Sequence, residues 1–162
     1  MDNYIVPATT RVGHIHLKVS DLERALTFYR DLLGFTETMR YGTQAVFLSA
    51  GGYHHHIGLN TWYSKNMGPA PQRAAGLYHT AFLLEKREEL AAIYKRLNDF
   101  NYPLTGASDH GVSEALYLDD PDGNGVELYW DRPKEAWPKD EMGELVMYTK
   151  ELDLQSLLDE LA

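Results

Sequence analysis

An internal repeat constrains the fold of this chain more than any other feature. His14 to Tyr29 spans fifteen positions, and so does His79 to Tyr94. Residues 12–19 (VGHIHLKV), which hold the first histidine, alternate and are β-branched and so read as a strand, and residues 77–84 (LYHTAFLL), which hold the second, read as its copy. A helix follows each strand, beginning seven to nine residues after the histidine. In the first half Ser20 and Glu23 form a capping box, and Leu22, Leu26, Phe28, Tyr29, Leu32 and Leu33 line the apolar side as far as Gly34. In the second, residues 88–100 place Leu90, Ile93, Tyr94 and Leu97 on one side. Residues 35–40, 44–49 and 54–60 read as three further strands, and two or three strands ending at 127–130 complete the second half. A copy displaced by about 65 residues is a duplicated supersecondary unit. Neither half alone buries a comfortable core, whereas two together do. The expectation is an α+β fold of paired βαβββ modules, 11–60 and 77–130, joined by 61–76 into a single domain, 1–132. The two modules should form a curved, partly closed mixed sheet around a metal site. The tail, 133–162, should add a strand at 145–149 and a short helix capped by Asp153, packed on the domain or on a neighbouring subunit.

Composition removes several classes of function. The chain has no cysteine, which excludes disulfides, thiolate metal sites and cysteine nucleophiles. A net charge of −9 argues against nucleic acid or an anionic membrane as partner. No apolar run approaches the roughly 18 residues that span a bilayer, and MDNYIVPATTR lacks the regions of a signal peptide. A cytoplasmic protein is expected.

The chemistry concentrates in residues 108–130, SDHGVSEALYLDDPDGNGVELYW. Glu127 sits in a strand of buried pattern, where a lone carboxylate would cost several kcal/mol unless paired or metal-bound. The turn before it imitates a calcium loop, with Asp120, Asp122, Asn124 and Gly125 at positions one, three, five and six. An EF-hand needs a helix on each side, however, and Pro121 with Gly123 between β-branched flanks makes a hairpin instead. The repeat supplies partners for Glu127, because His14 and His79 occupy equivalent places. Two histidines and one carboxylate, with half the coordination sphere open, form the facial arrangement of non-haem Fe(II) oxygenases. The counterpart of Glu127 in the first half is about Gly58. His16 shares a strand face with His14 and is the alternative ligand, although Ala81 stands at its repeat position. By the same alternation His54 and His56 share a face with Gly58, and His55 points away as a structural residue.

The opening GHIHLKVSDLERALTFYRDLLGF and the hairpin DPDGNGVELY resemble the first βα unit and last hairpin of the vicinal oxygen chelate superfamily. That group includes glyoxalase I, the bleomycin and fosfomycin resistance proteins and the type I extradiol dioxygenases. The likeness covers about residues 11–132. More specifically, His110-x6-Tyr117-x2-Asp120-Pro121-x-Gly123-x3-Glu127 is similar to the signature of the extradiol ring-cleavage dioxygenases, with Ser108 a departure from it. SAGGYHHHIGLNTW also looks like the bacterial catechol-2,3-dioxygenase group. Most such enzymes carry two domains of this kind, whereas this chain carries one. The resemblance implies Fe(II), with Mn(II) or another divalent ion as the alternative, held by His14, His79 and Glu127. It implies a small aromatic diol and O2 as substrates. His110, Tyr117 and His56 would do acid–base and hydrogen-bonding work, and His54, His16 and Tyr129 would contact substrate. A homo-oligomer, dimeric or larger, is expected. The competing readings are a metal-dependent isomerase or transferase of the glyoxalase or fosfomycin-resistance type, and a metal-free protein that sequesters a ligand.

Overall fold

The computed structural model describes residues 3–162 and divides the chain into two compact units, the first ending at Gly68 and the second running from Pro69 to Ala162. The first unit follows the order β1 (Ile15–Lys18), α1 (Leu22–Leu26), β2 (Thr36–Tyr41), β3 (Ala45–Ser49) and β4 (Ile57–Asn60). Asp21, one residue beyond the expected Ser20, caps α1, its carboxylate accepting the Arg24 N–H at 2.9 Å. The Ser20 hydroxyl instead meets the Arg24 guanidinium at 2.6 Å. The helix then widens into a π-helical stretch, Thr27–Leu32, in which the Leu33 N–H bonds the Phe28 carbonyl. This wider turn brings Phe28 and Tyr29 side by side into the core, with ring centroids 4.8 Å apart. Gly34, at φ +88°, ends the helix.

The sheet order is β1-β4-β3-β2, with β1 parallel to β4 and the other pairs antiparallel. Leu17, Val19, Val46, Leu48, Ile57 and Leu59 are buried toward the helix. Full burial of such side chains is worth about 1.5–3 kcal/mol each before chain entropy is counted. On the other face His16, Gly58 and Phe47 share one register across β1, β4 and β3.

The second unit repeats the plan. It contains β5 (Thr80–Leu84), α2 (Arg87–Asp99), β6 (Gly106–Asp109), β7 (Ser113–Asp119) and β8 (Gly125–Asp131). The Glu89 carboxylate caps α2 by accepting the Glu85 and Lys86 N–H groups at 2.9 and 3.1 Å. The sheet order is β5-β8-β7-β6, with β5 parallel to β8, and a short strand from the tail is added beyond β6. The last strand, β9 (Lys150–Glu151), and the closing helix α3 (Leu154–Leu158) come from the tail. The strand expected at 145–149 is reduced to a bridge between Lys139 and Leu145, and pairing with β6 falls one step later. Asp153 caps α3 as expected, accepting the Ser156 N–H at 2.9 Å. Leu152 and Leu157 are buried, which fixes the tail to its own unit.

Candidate active site

The second unit carries a continuous row of polar side chains on the open face of its sheet. Tyr117 and Glu127 are directly opposed on β7 and β8, so both leave the sheet on the same side. Tyr117 Oη lies 3.1 Å from Glu127 Oε1. His79 immediately precedes β5, the strand beside β8, and its Nε2 stands 2.9 Å from Glu127 Oε2. His110, in the turn between β6 and β7, brings Nε2 to 2.8 Å from Tyr117 Oη. Four side chains from three strand junctions therefore form one chain of contacts, His79–Glu127–Tyr117–His110. Burial, followed by the charge of Glu127, pushes the Tyr117 phenol up to about 12. The phenol thus remains protonated, and a donor, through the neutral range. Tyr129, two residues beyond Glu127 on the same face, is raised by burial first and then by Asp131 and Glu127.

The donor set in this unit fits a divalent cation. Two ligand atoms, each about 2.1 Å from one ion and at right angles, stand roughly 3 Å apart. His79 Nε2 and Glu127 Oε2 show that spacing at 2.9 Å. The Glu127 side chain is 12% exposed, and His79 Nδ1 is buried without a hydrogen-bond partner among the described residues. An imidazole and a carboxylate suit iron, manganese or zinc. No group of three histidine, aspartate or glutamate side chains able to hold a metal occurs among the described residues. The structure therefore brings two of the expected donors together, and the place of His14 rests on the repeat.

In the first unit His14 immediately precedes β1, as His79 precedes β5. Its ring centroid is 4.5 Å from that of His55, whose Nδ1 is 2.8 Å from His54 Nδ1. His56 Nδ1 accepts the Ala50 N–H at 3.2 Å and stands 3.2 Å from Ser49 Oγ. Residues 54–56 lie in a bend before β4, so the face alternation expected of a strand does not govern them. His55 takes the place beside His14 that the alternation denied it. His16 lies flat over Gly58, where an added Cβ would come within 2.8 Å of its ring. Its centroid is 5.5 Å from the Trp62 ring and 5.8 Å from that of Phe47. Burial, then the neighbouring His14, lowers the His16 pKa. Burial, then His14, His54, His16 and His56, does the same for His55. Imidazoles held neutral keep a lone pair for a proton or a ligand.

The calcium-like turn closes a hairpin. The buried Asp120 carboxylate accepts the Asp122 and Asn124 N–H groups at 2.9 and 2.8 Å and the Asn124 amide at 2.9 Å. The structure also adds what composition could not signal. The main chain at Tyr148 contacts His110, its carbonyl 3.0 Å from Nδ1. No helix among the described residues is long and apolar enough to cross a membrane.

Comparison with known proteins agrees with this architecture. Residues 11–128 match the Glyoxalase/Bleomycin resistance protein/Dioxygenase superfamily. A catechol-2,3-dioxygenase of Bacillus subtilis (strain 168) is 40% identical over 152 residues, which are 93% of this chain and 52% of that protein. The chain therefore spans about half the length of that relative. A metallothiol transferase FosB of Staphylococcus epidermidis is 30% identical over 121 residues, covering 74% of this chain and 81% of that one. The crystal structure of a glyoxalase/dioxygenase from Nostoc punctiforme superposes with a TM-score of 0.65 at 17% identity, covering 82% of this chain and 99% of that one. The fold is accordingly mixed α+β, with curved sheets that remain open rather than closing into a barrel.

Proposed function

The chain belongs to the Glyoxalase/Bleomycin resistance protein/Dioxygenase superfamily, and from that premise we propose that it is a metal-dependent extradiol dioxygenase, opening a catecholic ring beside its two hydroxyls with O2. The observation that carries this reading is the unbroken row His79–Glu127–Tyr117–His110, with its cis-ligand spacing at one end and an imidazole at the other. His79 and Glu127, joined by His14 from the repeated position, would hold Fe(II), or Mn(II) in its place. Such an ion supplies Lewis-acid and redox chemistry to a chelating vicinal diol and to O2. Tyr117 stays protonated and donates a hydrogen bond toward the diol. His110 and His56 handle protons, and His16, His54 and Tyr129 offer rings and donors to the rest of the substrate. The protein would work as a homo-oligomer, which sedimentation equilibrium measures.

The likeness to a metallothiol transferase keeps a second reading, thiol addition at the same metal. Isomerases of the glyoxalase type are disfavoured by the first unit. Gly58, the counterpart of Glu127, lies beneath the His16 ring, which fills the space a second carboxylate would need. The deciding experiment purifies the chain without oxygen, loads Fe(II), and follows O2 uptake with substituted catechols. One O2 consumed per ring and a yellow ring-opened product are expected, both lost in Glu127→Gln. Thiol consumption without O2 uptake would replace this reading with the transferase.

A further inference from the structure

We propose that the C-terminal segment is a working part of this site, because the Tyr148 carbonyl holds His110 in the tautomer that turns the Tyr117 proton toward His110. For the reaction it serves, this inference rests on the dioxygenase reading; the tautomer itself does not. A carbonyl oxygen has no proton to give, so the ring nitrogen 3.0 Å away, His110 Nδ1, must be the one that carries hydrogen. Thr149 Oγ1 stands 3.3 Å from the same nitrogen, and the Tyr148 N–H returns a bond to the His110 carbonyl at 3.3 Å. A neutral imidazole protonated at Nδ1 presents its lone pair at Nε2, 2.8 Å from Tyr117 Oη.

The Tyr117 hydroxyl has a single proton and two acceptors, His110 Nε2 at 2.8 Å and Glu127 Oε1 at 3.1 Å. The opposite tautomer would place a lone pair against the Tyr148 carbonyl and direct Nε2–H at Tyr117, sending the tyrosine proton to Glu127. The tail thus selects which neighbour receives that proton. With His110 as acceptor, both carboxylate oxygens of Glu127 keep their lone pairs for a cation.

The tail is built to hold this position. Strand β9 pairs with β6 through Ser108 with Glu151 and Asp109 with Lys150, on the residues just before His110. Gly111, at φ +78°, lets the turn pass beneath the tail. A Cβ there would stand 2.7 Å from Pro138 Cγ and from Tyr148 Cε1. From the other side, the Asp109 carboxylate accepts the Gly111 N–H at 2.8 Å and pairs with Arg132 at 2.7 Å.

The test is nitrogen-15 NMR of the histidine rings in the metal-free 162-residue chain, with His110→Gln to assign the resonances. The unaltered protein should show neutral His110 protonated at Nδ1. Gly111→Ala should drive the tail off the turn and move His110 toward the Nε2–H form. In the iron-loaded chain it should lower kcat by at least about tenfold while KM stays within about twofold. Gly143→Ala is the control, since Gly143 carries a similar backbone angle (φ +83°) with nothing within 4 Å of an added Cβ. It should change neither the tautomer nor kcat. An Nε2–H tautomer in the unaltered protein overturns the proposal, as does a Gly111→Ala chain with the tautomer and kcat of the parent. If the unaltered chain fails to turn over catechols, the reaction proposed above is refuted, while the ring measurement still decides the role of the tail.

Discussion

Tyr117 is the residue on which the candidate site turns, because among the described residues it bridges Glu127 and His110. Replacing it with Phe leaves the ring in place and removes one hydroxyl, so the fold should survive while the row of contacts breaks in the middle. The expected result is a fall in kcat of about a hundredfold with an unchanged circular dichroism spectrum, measured by O2 uptake with catechol. At this scale much of the site was legible in advance. His79, Tyr117 and Glu127 fall on or beside strands of regular alternation, and His110 stands at a fixed spacing from them. The histidine run at 54–56 is misleading, because residues in a bend do not follow the period of two of a strand. Tyr148 left no trace in the sequence, since its contribution is a backbone carbonyl and any residue supplies one.

The elements follow the repeat, and the departures from expectation have local causes. Asp21 displaces Ser20 as cap because its carboxylate reaches the Arg24 N–H while the Ser20 hydroxyl is engaged by the Arg24 guanidinium. The π-helical stretch was not signalled by an apolar pattern that suits an ordinary helix equally well. The least expected feature is a clasp of charges joining α2, β6, β7, the residue after β8, and α3 with the turn that follows it. Glu114 on β7, only 4% exposed, accepts from Arg87 at 2.7 Å and from Arg132 at 2.6 Å. Arg87 continues to the Ser156 carbonyl and to Glu160, and Arg132 to Asp109. Removing one member of a buried charge cluster leaves the others uncompensated, so Glu114→Gln should lower the unfolding free energy by about 3 kcal/mol in urea titrations. The clasp also predicts a pH dependence. Burial alone would raise Asp109, yet Arg132 and the Gly111 N–H outweigh it and hold the carboxyl below its usual value. A group depressed in the folded state binds more protons when unfolded, so its stabilisation is present above the unfolded value and lost as pH falls through the folded one. The urea midpoint should therefore drop below about pH 4, and drop less steeply in Arg132→Met.

For the whole molecule, the duplication accounts for the number of elements and for the similar placing of His14 and His79 before β1 and β5. The two copies differ in what they contribute, with a carboxylate on β8 and a glycine at the matching place on β4. If a divalent ion is held as proposed, it binds the folded chain and not the unfolded one, and stability must rise with its concentration. At a hundredfold excess over Kd the gain is about 2.7 kcal/mol. Differential scanning calorimetry with Fe(II) or Mn(II) should show the melting temperature climbing with added metal, and Glu127→Gln should remove the climb. The two-residue strand Lys150–Glu151 has a further consequence, separate from chemistry. It lies along the outer margin of β6 and occupies hydrogen-bonding groups that would otherwise be open to another polypeptide. A protease that removed residues 148–162 would thus leave an adhesive border, and the clipped protein would be stickier in solution as well as slower.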